Sequence, residues 1–118
     1  MTVEIYSANT PDTLAVECSD TVTIEDARYL LERCLSAVHL HPVHFLIDCS
    51  ELHTLAPGVL AIFANASDFL QHPNTRWLAF VTQNSLLERS LRLLLGDTPL
   101  EIFRDRDSAD HFLRSRGL

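Results

Sequence analysis

The feature that most constrains the fold is a nearly unbroken apolar segment in the middle of the chain that ends on a carboxylate. Residues 43–48 are Val-His-Phe-Leu-Ile-Asp, and the mostly polar residues 49–56 separate them from Pro57-Gly58. Apolar side chains on both faces are typical of a parallel strand covered on both sides of its sheet. Residues 43–48 are therefore predicted to form the central strand, and the loop predicted at 49–56 lies at its carboxyl end, where α/β sheets place functional sites.

Other strands and helices alternate along the rest of the chain. Short runs of strand-forming residues predict further strands at 3–6, 13–18, 77–81 and 100–103. Apolar stripes at helical spacing lie between them, within residues 27–38, 59–70, 87–95 and 109–113. The order β-β-α-β-α-β-α-β-α predicts a single α/β domain over residues 1–118, with a mixed, mostly parallel sheet of four or five strands flanked by about four helices. The first two strands are predicted to form an antiparallel hairpin at one edge.

Helix boundaries follow from the capping residues. Thr23 is a predicted N-cap, and Pro57 suits the first turn of the second helix. Residues 85–88, Ser-Leu-Leu-Glu, fit a capping box, and Asp107 is predicted to cap the last helix. Gly96 and Gly117 are predicted to close the third and fourth helices, and residues 9–12 are predicted to form the hairpin turn.

The net charge of −7 is confined to the first half of the chain. Residues 1–58 contain nine acidic residues and two arginines, whereas residues 59–118 contain seven of each. An acidic half argues against nucleic acid as a partner and favours a protein with a basic patch, although acids that only solvate a surface give the same composition. No apolar run spans a bilayer and no signal peptide is recognised, so the cytoplasm is predicted.

Most motifs of chemistry are absent from the sequence. Three glycines cannot build a nucleotide-binding loop, and no cofactor is expected. The odd set Cys18, Cys34 and Cys49 has no metal-binding spacing, which indicates buried free thiols. His39 and His41 offer two imidazoles to a metal, with His44 nearby, but histidines at the surface of a helix–strand turn are the favoured interpretation and no metal is expected.

The loop after the central strand holds the remaining candidates. Asp48 either accepts backbone N–H groups from this loop or acts as a functional acid. An enzyme would use Asp48 or Cys49, the latter with His53 and a carboxylate, but neighbours in sequence do not by themselves make a triad. Ser50 and Thr54 are candidate phosphorylation sites near the start of the following helix.

Three segments together resemble a known family. They are Ile47-Asp48-Cys49-Ser50 with its loop and helix, the helix entry at 23–27 (Thr-Ile-Glu-Asp-Ala), and the tail at 100–113. Their order along the chain resembles the STAS, or SpoIIAA-like, domain of bacterial anti-sigma-factor antagonists. The resemblance implies regulation by protein–protein contact, with an anti-sigma-type kinase or another regulator as partner, or a second copy in a homodimer. The Asp-Ser pair that carries the phosphate in that family falls here on Ala56-Pro57, and Pro57 has no hydroxyl.

These observations lead to one main hypothesis and one alternative. The main hypothesis is a non-catalytic, protein-binding regulatory module in which Leu52 and Leu55 are exposed apolar anchors. Its predicted binding residues are Asp48, Ser50, Glu51, Leu52, Thr54, Leu55, Pro57 and Gly58. The alternative is a domain of the Sec14 type that binds a small apolar, lipid-like ligand between sheet and helices. Its candidate lining residues are Phe63, Phe69, Trp77 and Phe80.

Overall fold

The computed structural model describes residues 3–8 and 12–116. They form a five-stranded sheet whose strands lie in chain order, β1-β2-β3-β4-β5. The strands are β1 (Val3–Ser7), β2 (Thr13–Val22), β3 (Val43–Leu55), β4 (Thr75–Val81) and β5 (Leu100–Phe103). β1 is antiparallel to β2, and every other neighbouring pair is parallel. The predicted mixed sheet with an antiparallel edge and residues 43–48 at its centre is confirmed. Most of the predicted turn at 9–12 and Gly117 lie outside the described residues.

Helices cover both faces of the sheet. They are α1 (Ile24–Leu40), α2 (Val59–Ala64), α3 (Ser67–Leu70), α4 (Ser85–Leu95) and α5 (Arg106–Arg116). The first four pack on one face in a core that includes Phe45 and Ile47 of β3. On the opposite face α5 packs through Ala109 and Leu113 against Leu46 and its neighbours on β4. Successive residues of β3 therefore alternate between two apolar layers, as the central-strand prediction requires. No helix in the described part of the chain is both long and apolar enough to cross a membrane.

The residues that cap the helices agree only partly with the predictions. Thr23 caps α1 in a reciprocal capping box with Asp26, so that prediction is confirmed. The Ser85–Glu88 box is wrong, because Asn84 accepts the N–H groups of residues 86 and 87 and Ser85 is already helical. The prediction that Asp107 caps the last helix is also wrong, because Asp105 accepts the backbone N–H of residue 108 at 2.8 Å. Both predicted caps lie one or two residues inside their helices.

Gly96 is the C-cap of α4, but its backbone is right-handed, with φ −61°. The predicted left-handed C′ glycine is therefore wrong. The chain instead turns through Thr98, whose N–H and hydroxyl both donate to the carbonyl of Leu95, at 3.0 and 2.6 Å. The Thr98 hydroxyl thus satisfies a carbonyl at the end of the helix, which a left-handed glycine would otherwise help to satisfy.

The helix predicted over residues 59–70 is interrupted between Ala64 and Ser67. Ala66 leaves the helical conformation, with φ −84° and ψ 62°. The interruption turns α3 so that Phe69 is 3% exposed and packs edge-on against Phe45, with ring centroids 5.1 Å apart. The predicted single helix is therefore two short helices, and Phe69 is the buried residue of α3.

β2 and β3 are both longer than predicted. Residues 19–22 and 49–55 continue the two strands as a parallel pair, with register shifts after Glu17 and after Asp20. The prediction that residues 49–56 form a loop is wrong for 49–55. Backbone pairing between the two segments does not need apolar side chains, and the shifts interrupt the two-residue alternation by which strands are recognised.

Candidate functional site

The carboxyl end of the covered part of β3 is marked by Asp48. One of its oxygens, Oδ1, accepts the backbone N–H of Ser50 at 2.9 Å and the Ser50 hydroxyl at 2.6 Å. The other, Oδ2, lies 3.3 Å from Nη1 of Arg106 at the start of α5. Asp48 therefore has the local structural role expected for it, and it also pairs with an arginine 58 positions away in sequence.

Arg106 is the centre of a polar network that sequence reasoning missed. Its guanidinium lies 3.6 Å from Glu17 and 3.8 Å from Asp110, and Nη2 donates to the Tyr6 hydroxyl at 2.9 Å. The Tyr6 hydroxyl in turn donates to Glu17. The network joins β1, β2 and β3 to α5. No local pattern signals it, because its members come from four separate elements.

The network affects the titration of two of its members. Burial lowers the pKa of Arg106, but the hydrogen bond to Tyr6 and the charges around the guanidinium outweigh burial and leave this pKa above its ordinary value. Burial and the hydrogen bond to Glu17 raise the pKa of the Tyr6 phenol. Both groups therefore keep their protons near neutral pH, and the network is held by one cation among carboxylates.

An acidic notch lies beside this network. We define it by Glu4, Glu17, Ser19, Asp48 and Glu51, together with Cys18, which surround a cavity of about 120 Å³. The sequence placed much of the negative charge in the first half of the chain, and the sheet brings four of those carboxylates together. Within the part of the chain that the structure describes, the ion pairs of these carboxylates are those that Glu17 and Asp48 form with Arg106.

Residues 49–55 form what we call the β3 extension. The β3–β4 pairing ends at Asp48 and Val81, so within the described residues the extension pairs with β2 alone. Four of its side chains are exposed: Ser50, Glu51, His53 and Thr54. The edge facing away from β2 therefore has backbone groups that β4 does not pair, as in an edge strand.

Two residues that were predicted to be exposed apolar anchors face the core. Leu52 and Leu55 line the apolar cavity under the sheet and pack against the core, so the expectation that they are exposed is wrong. The pairing with β2 sets their direction, because the register places Leu55 beside the buried Val22. Ser50, Glu51 and Thr54 are exposed as the binding hypothesis requires.

Pro57 and Gly58 form the turn that follows the extension. Both are exposed, and Gly58 is the N-cap of α2 with φ +88°, a conformation that favours glycine. Pro57 precedes the helix and is not in its first turn, which corrects that prediction. The turn holds the end of the extension against α1, since a Cβ on Gly58 would lie 3.5 Å from Cδ1 of Ile24.

The structure brings Cys18 and Cys49 together on neighbouring strands, and Cys34 of α1 lines the same apolar cavity. The contact between the two thiols across β2 and β3 lowers the pKa of Cys18, and together with burial it raises that of Cys49. Burial raises the pKa of Cys34 on α1 to about 12. The sequence spacing gave no sign of this pair, because its members are 31 positions apart.

The arrangement opposes the enzyme alternative. Cys49 lines the apolar cavity, whereas Asp48 reaches Arg106 on the opposite side of the sheet. Adjacent residues of a strand point to opposite faces, so this thiol and this carboxylate do not converge on one substrate. The thiol's hydrogen-bond partner is Cys18, where a triad would require His53.

The three neighbouring histidines occupy different environments. His44 is 2% exposed inside β3, so its predicted surface position is wrong. His39 packs against the ring of His72 with centroids 5.5 Å apart, and Nδ1 of His41 lies 2.9 Å from the carbonyl of Pro42. Among residues 3–8 and 12–116, no group of three or more ligand-type side chains is arranged to hold a metal.

An apolar cavity of about 60 Å³ lies between the sheet and the helices. Its lining includes Phe63, Phe69 and Phe80 from the set predicted for a ligand pocket. Trp77 lies on the other face, edge-on to Phe112 at 5.0 Å, so its predicted place in the lining is wrong. An engineered cavity of about 150 Å³ binds a molecule as small as benzene, so a cavity of about 60 Å³ is too small for a lipid chain.

The fold is similar to that of several solved structures. A DUF3478-family protein with a SpoIIAA-like fold from Shewanella loihica superposes with a TM-score of 0.69 at 24% identity, over 94% of this chain and 91% of its own. The unphosphorylated anti-sigma factor antagonist SpoIIAA gives 0.72 at 8% identity, over 98% and 99%. An anti-sigma factor antagonist from Mycobacterium paratuberculosis gives 0.68 at 19%, over 96% and 93%.

Sequence comparison adds no assignment. No protein-family model matches the chain, and no curated protein matches it. At these identities the structural similarity establishes the fold, and function remains a separate question. The likeness spans nearly the full length of each neighbour and includes the mixed sheet and the flanking helices. The chain therefore has the SpoIIAA-like fold of STAS domains.

Proposed function

We propose that this protein is a non-catalytic regulatory module that binds another protein through the β3 extension and the Pro57-Gly58 turn. The observation that carries the proposal is the exposed polar surface of the extension, which pairs with β2 on one side only. An uncovered strand edge is a template for an additional strand from a partner. The adjoining notch supplies further carboxylates from β1 and β2, on the paired side of the extension.

Charge selects the kind of partner. Glu51 is exposed on the extension and borders the notch with Glu4 and Glu17. A partner with a basic patch gains from these carboxylates, mainly in association rate and specificity. SpoIIAA and the mycobacterial protein are described as anti-sigma factor antagonists. We therefore propose an anti-sigma-type kinase or another regulator as partner, with a homodimer as the alternative occupant.

Phosphorylation of the extension is a proposed second input. The acceptor position of the family is Pro57 here, so any acceptor must lie elsewhere. Thr54 is the better candidate, because the Ser50 hydroxyl already donates to Asp48 at 2.6 Å and a phosphate there would face that carboxylate. A phosphate on either residue would add negative charge to an acidic surface and weaken binding of a basic partner.

The apolar-ligand alternative rests on one observation, the cavity beneath the sheet. Its volume of about 60 Å³ and its largely aliphatic and aromatic walls fit a gap in packing better than a lipid site. A carrier of this size would need to open the core that holds the sheet to α1, α2 and α4. Protein binding is accordingly the function we favour, and we propose the cytoplasm as its compartment because the three cysteines are free thiols.

Capture from a lysate of the host tests the binding surface. The tagged wild-type chain is compared with the double variant Glu51→Arg, Thr54→Arg, which changes the net charge by +3 at exposed positions of the extension. The matched control is Glu32→Arg with Ser36→Arg, which makes the same charge change on exposed positions of α1. Bound proteins are quantified by mass spectrometry, and circular dichroism verifies that each variant is folded.

We expect the extension variant to lose its specific partner at least tenfold, and the α1 variant to keep it. Equal capture by all three forms would place the binding surface elsewhere. Loss in both variants would show that total charge, and not the extension, decides binding.

A further inference from the structure

Cys18 and Cys49 meet where β2 and β3 shift register. The pairing passes from Glu17 opposite Asp48 to Ser19 opposite Glu51, so Cys18 faces the two β3 residues 49 and 50. Both cysteines line the same apolar cavity, which places their side chains on one face of the sheet. The proximity of the two thiols shifts their pKa values in opposite directions, down for Cys18 and up for Cys49. Two strands therefore bring together a pair of sulfurs that no sequence spacing indicated.

The backbone is suited to a covalent link between these sulfurs. Neighbouring strands are about 4.8 Å apart. A disulfide requires Cα atoms about 4.4–6.8 Å apart and a sulfur–sulfur bond of about 2.05 Å. The extra β3 residue at the register shift gives the strand local freedom to bring the two sulfurs to bond length.

The surroundings of Cys18 and Cys49 shift the pKa values of the two thiols in opposite directions. The contact with Cys49 lowers the pKa of Cys18, whereas the contact with Cys18 and burial raise the pKa of Cys49, so Cys49 is the thiol that keeps its proton. A nucleophilic thiolate beside a protonated thiol is the arrangement of an attacking and a resolving cysteine. Cys34 lines the same cavity, but burial keeps its pKa near 12, so it provides an internal reference for an inert thiol.

We propose that Cys18 and Cys49 form an oxidisable dithiol that a hydroperoxide converts to a reversible disulfide. The Cys18 sulfur attacks one peroxide oxygen, the O–O bond breaks, and the leaving oxygen departs as water or an alcohol. The resulting sulfenic acid is attacked by the Cys49 sulfur, and the S–O bond breaks. The proton of Cys49 leaves with that oxygen as water. Two thiols lose two electrons in total, and one hydroperoxide gains them.

The surroundings also select the oxidant. Both cysteines line the apolar cavity of about 60 Å³. A small neutral hydroperoxide fits such a cavity, whereas glutathione disulfide is anionic and far too large for it. Disulfides in a reducing compartment are usually transient or redox-sensing, which fits this pair. The proposal does not depend on the proposed protein-binding function.

Oxidation of the folded full chain with hydrogen peroxide tests the proposal. Intact-mass spectrometry should show a loss of two hydrogens, about 2 Da, and peptide mapping should identify the Cys18–Cys49 link. Dithiothreitol should restore the starting mass. The Cys34→Ala variant should behave like wild type, whereas Cys18→Ala and Cys49→Ala should not form the link. Glutathione disulfide at the same concentration should react at least tenfold more slowly than peroxide.

Mapping on the wild-type chain keeps the test valid if a cysteine variant unfolds. A link that involves Cys34, a disulfide between two chains, or only oxygen addition at single cysteines would overturn the proposal. So would a wild-type chain whose Cys18 and Cys49 remain reduced at peroxide concentrations that oxidise the same chain in denaturant.

Discussion

Within β3, residues 43–47 and residues 50–54 differ in what covers them. The first segment is buried between β2 and β4 and between two helical layers. The second pairs with β2 alone, and four of its five side chains are exposed. Backbone pairing to β2 runs through both, so pairing does not distinguish them. The two segments differ in coverage. The covered segment holds the layers together, and the uncovered segment is free to contact another molecule.

The largest expected effect is in the covered segment. Phe45→Ala should lower the free energy of unfolding by about 3–5 kcal/mol, because Phe45 is fully buried and packs against Phe69. Urea denaturation followed by circular dichroism measures this change. A loss of stability no larger than that of a substitution at an exposed position would contradict the assignment of residues 43–47 to the hydrophobic core.

The free energy of unfolding should depend on pH through Cys34, which lies on α1 under the covered segment. The folded-state pKa of about 12 lies above the ordinary thiol value of 9.0. An unfolded chain therefore releases this proton from about pH 9 upwards while the folded chain keeps it. The contribution is fully present below pH 9 and is lost as pH rises toward 12, by up to about 1.4 kcal/mol for each pH unit. Cys34→Ala should make the decline in stability between pH 9 and 11 shallower, as measured by urea unfolding. An unchanged slope would mean that other groups cause it.

A smaller effect is expected at the end of the extension. Gly58→Ala should cost about 1–2 kcal/mol, because φ is +88° and the space around a new Cβ is adequate. Gly58→Asn should cost less, since asparagine tolerates left-handed backbone. Thermal unfolding of the three proteins ranks them. If alanine and asparagine are equally destabilising, crowding against α1 is responsible and backbone strain is not.

The smallest effect on stability is expected within the uncovered segment. His53→Ala should change the free energy of unfolding by no more than about 0.5 kcal/mol, since His53 is exposed on the extension. Urea denaturation in parallel with Phe45→Ala gives the direct comparison. A loss above about 2 kcal/mol would show that the extension contributes to the fold itself, and would weaken its assignment as a free binding surface.

Much of the fold was predictable from local pattern. The apolar run at 43–47 required cover on both faces, and Thr23 supplied a cap whose partners lie within three residues. The prediction of one helix over 59–70 failed at Ala66, whose backbone leaves the helical conformation although no glycine or proline marks the break. The loop prediction for 49–56 failed because polar residues were taken as unpaired, while β2 supplies their backbone partners.

The candidate site was predictable only in part. Asp48, Ser50, Glu51 and Thr54 were predicted as candidates from their place after an apolar strand, and the structure leaves Ser50, Glu51 and Thr54 exposed. Arg106 and the Cys18–Cys49 pair were not found, because their contacts join positions 31 to 100 residues apart. Leu52 and Leu55 were assigned to the wrong side, since register shifts decide direction in a strand.

The sequence by itself determined the class of fold, the order of its elements and the buried centre of the sheet, because each depends on hydrophobic period and on capping within a few residues. Only the tertiary structure decided which strands extend, which side chains of the extension face outward, and which thiols and charges meet. These depend on register between strands distant in sequence. A shift of one residue there reverses every side chain while leaving the local pattern almost unchanged.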